Sequence, residues 1–241
     1  MADKSIGERY NNQDYLTANP DWGASHAPWK ARIVGELVER RGLDVDRIAE
    51  VGCGSGAVLE QLQQRWPDKS FTGYDLSSVA HEIARPRAKE GLDYRLEDLT
   101  AADAHYDLLL CLDVVEHVEN SFGFLRQIRD KADWHVFHIP LELTASTILR
   151  GRLMAGRHSV GHLHYYTRET ALAQLEECGF HIVSEYYSRP FARDGVHAPT
   201  LKRRLANLVR RATFRMAPHL VVRAIGGASL LVLARPDKAG S

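Results

Sequence analysis

The chain has 241 residues, 44% apolar and 26% charged, the length and composition of one large globular domain or of a domain with an appendage. Its 31 basic and 31 acidic residues cancel, which excludes a globally basic nucleic-acid binder. The start, MADKSIGERYNNQDY, lacks the apolar region of a leader, and no run of about 18 apolar residues could span a bilayer, so a cytoplasmic location is expected.

From Tyr10 to Trp29 the chain is rich in Asn, Asp, Pro and aromatics. It reads either as a cover for a cleft or as a surface arm, and it leads into a helix over about 28–41 with Ile33, Val34, Leu37 and Val38 on one side. Next comes RIAEVGCGSGAVLE (residues 47–60), a short apolar strand entering glycines at 52, 54 and 56 and leaving into Val58, Leu59 and Leu62. That is strand, tight turn, helix, with the open helix N-terminus available to a nucleotide cofactor. The glycine spacing with Ala57 also satisfies the dinucleotide pattern G-x-G-x-x-G/A, so it leaves NAD and S-adenosylmethionine both open. Glu50, just before the first glycine, would repel a pyrophosphate and suits a methionine ammonium group.

The alternation continues with helix 57–65, strand 70–74, helix 77–84, strands 93–96 and 106–112, helix 121–130, strand 134–139, helix 168–178 and strand 180–187. Strands alternating with helices mean right-handed crossovers and a parallel sheet. A last strand, 229–234, follows Gly226-Gly227. Cys53, Cys111 and Cys178 are far apart and read as reduced, incidental thiols. Between Ser188 and Gly227 lie nine basic residues and one acidic one, a net of +8. Leu201, Leu205, Leu208, Val209, Ala212 and Met216 recur there at helical spacing, so a basic amphipathic helix is expected over about 200–216.

Asp75 ends the second strand nineteen residues beyond Gly56, with Leu76 beside it, where a carboxylate accepts from both hydroxyls of a ribose. Asp98 follows the third strand, and an apolar run over 108–112 delivers Asp113 to the carboxyl end of the sheet. Taken together, Glu50, the glycines, Asp75, Asp98 and Asp113-x-x-Glu116-His117 resemble the class I S-adenosylmethionine-dependent methyltransferases. The resemblance implies a Rossmann-like, doubly wound α/β fold: a seven-stranded sheet in a three-layer αβα arrangement, six strands parallel and the last antiparallel between its neighbours. It divides the chain into an N-terminal arm and helix (1–44), a cofactor-binding core (45–187), a basic helical insertion (188–227) and the final strand (228–235). It also places Asp98 and the Leu99 backbone N–H at the adenine edge. No Asn/Asp-Pro-Pro-aromatic run follows the fourth strand, so the likeness is to enzymes acting on small molecules and not on nucleic-acid bases.

Two branches are similar in more detail: ubiquinone-type O-methyltransferases and small-RNA 2′-O-methyltransferases, in which Glu-x-x-Glu-His binds a divalent ion such as Mg²⁺. The RNA enzymes add a His before an aromatic-Thr-Arg-Glu sequence, matched here by His162 ahead of Tyr166-Thr167-Arg168-Glu169. The ligands so implied are Asp113, Glu116, His117 and His162, although Asp113 is one methylene shorter than the Glu it replaces. Without a metal, His162, His164 and His138 are the candidate general bases for a hydroxyl acceptor, and His135 reads as structural.

The expected activity is methyl transfer to a small-molecule acceptor, most simply at a hydroxyl oxygen. An NAD-dependent oxidoreductase is the rival, disfavoured by Glu50 and by the lack of a Tyr-x-x-x-Lys pair; a non-catalytic cofactor-binding accessory protein is another. The basic stretch reads as a lid, as a platform for an anionic acceptor or as a helix resting on anionic lipid. Only Phe214 interleaves an aromatic with its charges, which argues against RNA.

Overall fold

The computed structural model describes residues 21–188 and 213–237. Helix α1 (Ala27–Arg41) precedes β1 (Arg47–Val51), α2 (Ala57–Arg65), β2 (Ser70–Asp75), α3 (Ser78–Ala84), β3 (Leu92–Leu96) and β4 (Tyr106–Leu112). There follow α4 (Ser121–Arg129), β5 (Ala132–Pro140), two short helices, α5 (Ala145–Leu149) and α6 (Leu153–Ser159), then α7 (Arg168–Glu177), β6 (Phe180–Ser188), α8 (Pro218–Ile225) and β7 (Ser229–Pro236). The sheet order is β3-β2-β1-β4-β5-β7-β6. β7 runs antiparallel to both neighbours and the remaining paired strands are parallel, as the resemblance implied.

The sheet is buried on both faces, which is why β4 reads as an unbroken apolar run and not as an alternation. Leu108, Leu110 and Leu112 face the layer that contains Val34, Leu37 and Val38 of α1 and Leu59 and Leu62 of α2. Leu109 and Cys111 face the opposite layer, with Leu125 and Ile128 of α4, Leu175 of α7 and Val221 and Val222 of α8. Each such fully buried aliphatic side chain contributes roughly 1.5–3 kcal/mol. His135 is structural: buried, bonded through Nε2 to the Ile128 carbonyl (3.0 Å) and packed against Phe137 and Phe180, with its pKa lowered to about 4 by burial. All three cysteines are free and buried.

Helices α5 and α6 escape a periodicity reading because neither has a buried residue, so no apolar stripe announces them. The expected basic helix lies mostly outside the described residues; its last four, 213–216, are helical, and Pro218 starts α8 just beyond. Most of the N-terminal arm also lies outside them. No helix among the described residues is long and apolar enough to cross a membrane.

The strand order reverses between β1 and β4, and a doubly wound sheet opens a crevice at the carboxyl ends of such strands. A cleft of about 980 Å³ lies there.

Candidate cofactor and acceptor site

The glycine turn forms one wall. Gly52, Gly54 and Gly56 all have positive φ, so the chain reverses tightly between β1 and α2. Two of the three are also fixed by space: a Cβ on Gly52 would stand 2.7 Å from Val114, and one on Gly56 only 2.4 Å from the Tyr94 ring. The Tyr94 hydroxyl donates to the Gly56 carbonyl at 2.7 Å and anchors the turn to β3.

Asp75 joins this turn to β2. Its Oδ2 accepts from the Gly54 N–H (2.8 Å) and its Oδ1 from the Ser77 N–H (2.9 Å), while Ser77 itself caps α3. Both readings of Asp75 therefore have a basis: it organises the turn before α3 and still presents its carboxylate to the cleft. Asp98 also lines the cleft, with Oδ1 accepting from the backbone and hydroxyl of Thr100 (both 2.8 Å), and Leu76, half exposed, and Leu99, buried, line it as well.

Glu50 is 3% exposed, and its Oε2 has no hydrogen-bond partner. Burial raises its pKa to about 8; Lys30 pulls it down, and Asp75 and Asp113 push it up. A neutral acid facing a cleft, with an orphaned oxygen, fits a ligand that brings its own cation. The cradle of glycines, Asp75 and Glu50 thus fits the ribose and ammonium ends of S-adenosylmethionine.

Asp113 is not aimed at the Glu116–His117 cluster. It stands at φ +60, and its carboxylate bridges Lys30 Nζ (2.7 Å) and His138 Nδ1 (2.5 Å). Burial would raise its pKa, but His138 and Lys30 hold it far below the usual carboxylate range. Asp113 is therefore withdrawn as a metal ligand: one of its oxygens is engaged by the Lys30 ammonium and the other by the His138 ring. Burial also works against the charge on Lys30, yet Asp113, with Glu50 and Glu116 beyond it, more than offsets this and raises its pKa.

His138 is likewise withdrawn as a general base, because both its ring nitrogens are taken. Nδ1 donates to Asp113, and Nε2 is bonded to Ser188 Oγ at 2.7 Å, which in turn donates to the Ser229 carbonyl. His164 is withdrawn too: its Nε2 donates to the Val118 and Glu119 carbonyls at 2.9 and 3.2 Å, so it braces these two lining residues from behind and does not itself line the cleft.

His162 and His117 do line the cleft. The Glu116 carbonyl accepts from the N–H groups of both Leu163 and His164, which lays the segment carrying His162 against the 3₁₀ turn Val115–His117. The two imidazoles meet edge to face, 4.8 Å between centroids. His162 Nδ1 donates to Glu142 Oε2 at 2.6 Å, which leaves Nε2 as an acceptor. Burial, with His162 nearby, lowers the His117 pKa to about 4, so it is neutral at pH 7. Glu116 is fully buried with neither carboxylate oxygen hydrogen-bonded, and burial together with Asp113 raises its pKa well above the ordinary value. One ligand atom from each of Glu116, His117 and His162 lies within 4.8 Å of the others.

Lys30, Glu142 and Ser188 are site residues that the sequence did not single out. Only Lys30 left a trace there: it sits on the apolar stripe of α1 between Ala27, Ala31 and Val34, where a solvated lysine has no place.

Comparison with known proteins bears on the family and the fold. Residues 26–185 match a family described as a methyltransferase domain. The ubiquinone biosynthesis O-methyltransferase of Pectobacterium atrosepticum is 36% identical over 114 residues, 43% of this chain, and that match spans less than half (46%) of the relative's length. The chain superposes on magnesium protoporphyrin IX methyltransferase from Synechocystis with bound SAH at a TM-score of 0.60, with 16% identity over 95% of this chain and 96% of that one. It superposes on the N-methyltransferase NodS of Bradyrhizobium japonicum, in complex with S-adenosyl-l-homocysteine, at 0.56, with 18% identity over 96% of each. At such identities the superpositions speak for the fold.

Proposed function

The chain belongs to the methyltransferase-domain family, and on that premise we propose that it transfers a methyl group from S-adenosylmethionine to a hydroxyl oxygen of a small-molecule acceptor. The observation that carries this reading is the sharing of one cleft by the cofactor cradle of Glu50, the glycines and Asp75 with the His117–His162 pair. The cofactor supplies a methyl group already activated by its sulfonium. The protein's own work is to align the acceptor and to receive its proton. His162 suits the receiving of the proton, because it lines the cleft and Glu142 engages its Nδ1, which leaves Nε2 as the nitrogen for the hydroxyl proton. The O-methyltransferase relative supports oxygen as the acceptor atom.

Calorimetric titration tests the cofactor. S-adenosylmethionine should bind saturably and NADH should not; the reverse would restore the oxidoreductase reading. Glu50 adds a signature. Because its folded pKa is raised, its contribution to stability is full below about pH 4.5 and is lost as the pH rises towards 8. A bound ammonium would favour the carboxylate, so binding near pH 7 should release up to one proton. In buffers of different ionisation enthalpy the apparent heat should shift accordingly, and Glu50→Gln should abolish that shift.

The same cleft supports a divalent ion held by Glu116, His117 and His162, with Glu142 orienting His162 from behind. The unpartnered Glu116 carboxylate is the observation that favours it. In such a site an ion would lower the pKa of a coordinated hydroxyl. Adding Mn²⁺ at a hundredfold excess over Kd should raise the thermal midpoint by roughly 5–10 °C in the wild type and not at all in Glu116→Gln. No shift in the wild type would leave His162 as a metal-free base.

A further inference from the structure

Ten large apolar side chains are exposed among the described residues, and six of them, Ile148, Leu149, Met154, Met216, Leu220 and Ile225, fall in just two segments. Leu149 and Met216 are 86% and 87% exposed. Both segments are free of acid in the sequence: residues 143–168 contain four arginines and no Asp or Glu, and residues 213–236 contain three arginines and no Asp or Glu. They meet in space. α5 packs against α8, Ser146 Oγ donates to the Ile225 carbonyl at 2.9 Å, and Gly226 backs onto Thr144. Arg150, Arg152, Arg157 and Arg215 are exposed around the apolar residues, and so is Arg223, which pairs with Glu169. The chain leaving α6 passes directly into the cleft wall at Val160 and His162.

We infer that this surface docks on an anionic lipid bilayer, with the mouth of the cleft beside it. An aliphatic patch rimmed by arginines, with the Glu169 carboxylate paired to Arg223 at its rim, matches the two terms of interfacial binding: apolar burial at the acyl boundary and attraction to anionic headgroups. The exposed apolar residues are Ile, Leu and Met and not aromatics, so the patch offers no stacking platform for single-stranded nucleic acid. A symmetric dimer through this surface would bring like charges together. For the acceptor, the inference rests on the methyltransferase reading and sharpens it: the acceptor is amphiphilic and reaches His162 from the bilayer.

The test is flotation of the full chain with vesicles of equimolar phosphatidylglycerol and phosphatidylcholine, against phosphatidylcholine alone. S-adenosylmethionine titration on the same preparations checks folding and keeps the two proposals separate. The wild type should float with the anionic vesicles about tenfold more than with the neutral ones, and raised salt should reduce that preference. Leu149→Asp/Leu220→Asp should cut flotation about tenfold with cofactor binding unchanged. Should that pair fail to fold, Arg150→Glu/Arg152→Glu reads the same surface through charge alone. Absence of flotation, flotation undiminished in a variant that still binds cofactor, or loss of self-association in place of flotation would overturn the inference. None of these outcomes bears on whether the cradle binds S-adenosylmethionine.

Discussion

Asp75→Ala is expected to weaken S-adenosylmethionine binding about 150-fold, the equivalent of roughly 3 kcal/mol. In the proposed complex the carboxylate accepts from two ribose hydroxyls, and hydrogen bonds to a charged group contribute about 1.5–3 kcal/mol each, partly offset by water in the variant. Asp75→Asn should fall in between, since the amide keeps one acceptor oxygen but turns a donor towards either Gly54 N–H or Ser77 N–H. The alanine variant should also unfold at a lower temperature without ligand, because those two backbone donors lose their partner. The two losses separate by measurement, affinity by calorimetry and stability by a ligand-free melt. Binding within about threefold of the wild type would refute the ribose role and reduce Asp75 to a turn former.

How much of this could be read from the sequence depended on how far apart the partners lie along the chain. The central strand, the glycine turn and the acids at strand ends are local: an apolar run buried on both faces must be a strand, and its last residue must emerge at the carboxyl edge. Asp75 and Asp113 were placed that way. What Asp113 does there was not legible. Its partners, Lys30 and His138, come from a helix before the first strand and from the end of β5, and the spacing of Asp113-x-x-Glu116-His117 suggested a shared ligand set that the left-handed backbone at Asp113 breaks. The three histidines proposed as bases look equivalent in sequence, each near a loop. Only the fold distinguishes them, because β7 inserts between β5 and β6 and brings Ser188 to His138, while the Glu116 carbonyl draws His162 into the cleft and leaves His164 facing carbonyls.

The second large effect is expected at Asp113→Asn. Asparagine tolerates the φ of +60 at this position, so the backbone can keep its course and the change is one of charge. Lys30, whose side chain is 16% exposed, would lose its closest counter-ion. Removing one partner of a buried pair costs about 3–5 kcal/mol, and the 31% exposure of Asp113 places the loss near 3 kcal/mol. Because Asp113 is held ionised far below its ordinary range, its stabilisation is present above about pH 4 and is lost only as the pH falls through that depressed value. Lys30→Met/Asp113→Asn should recover much of the loss, and urea unfolding of the single and double variants measures the coupling; strictly additive losses would mean the contact carries no energy. The substitution also reaches Glu50. Asp113 raises the Glu50 pKa and competes for Lys30, which lowers it. Its neutralisation acts in the same direction through both, so Glu50 should ionise at a lower pH in the unliganded protein. The proton released when S-adenosylmethionine binds near pH 7 should then fade in Asp113→Asn even where cofactor affinity survives, and an undiminished release would show that Glu50 does not sense the Lys30–Asp113 pair.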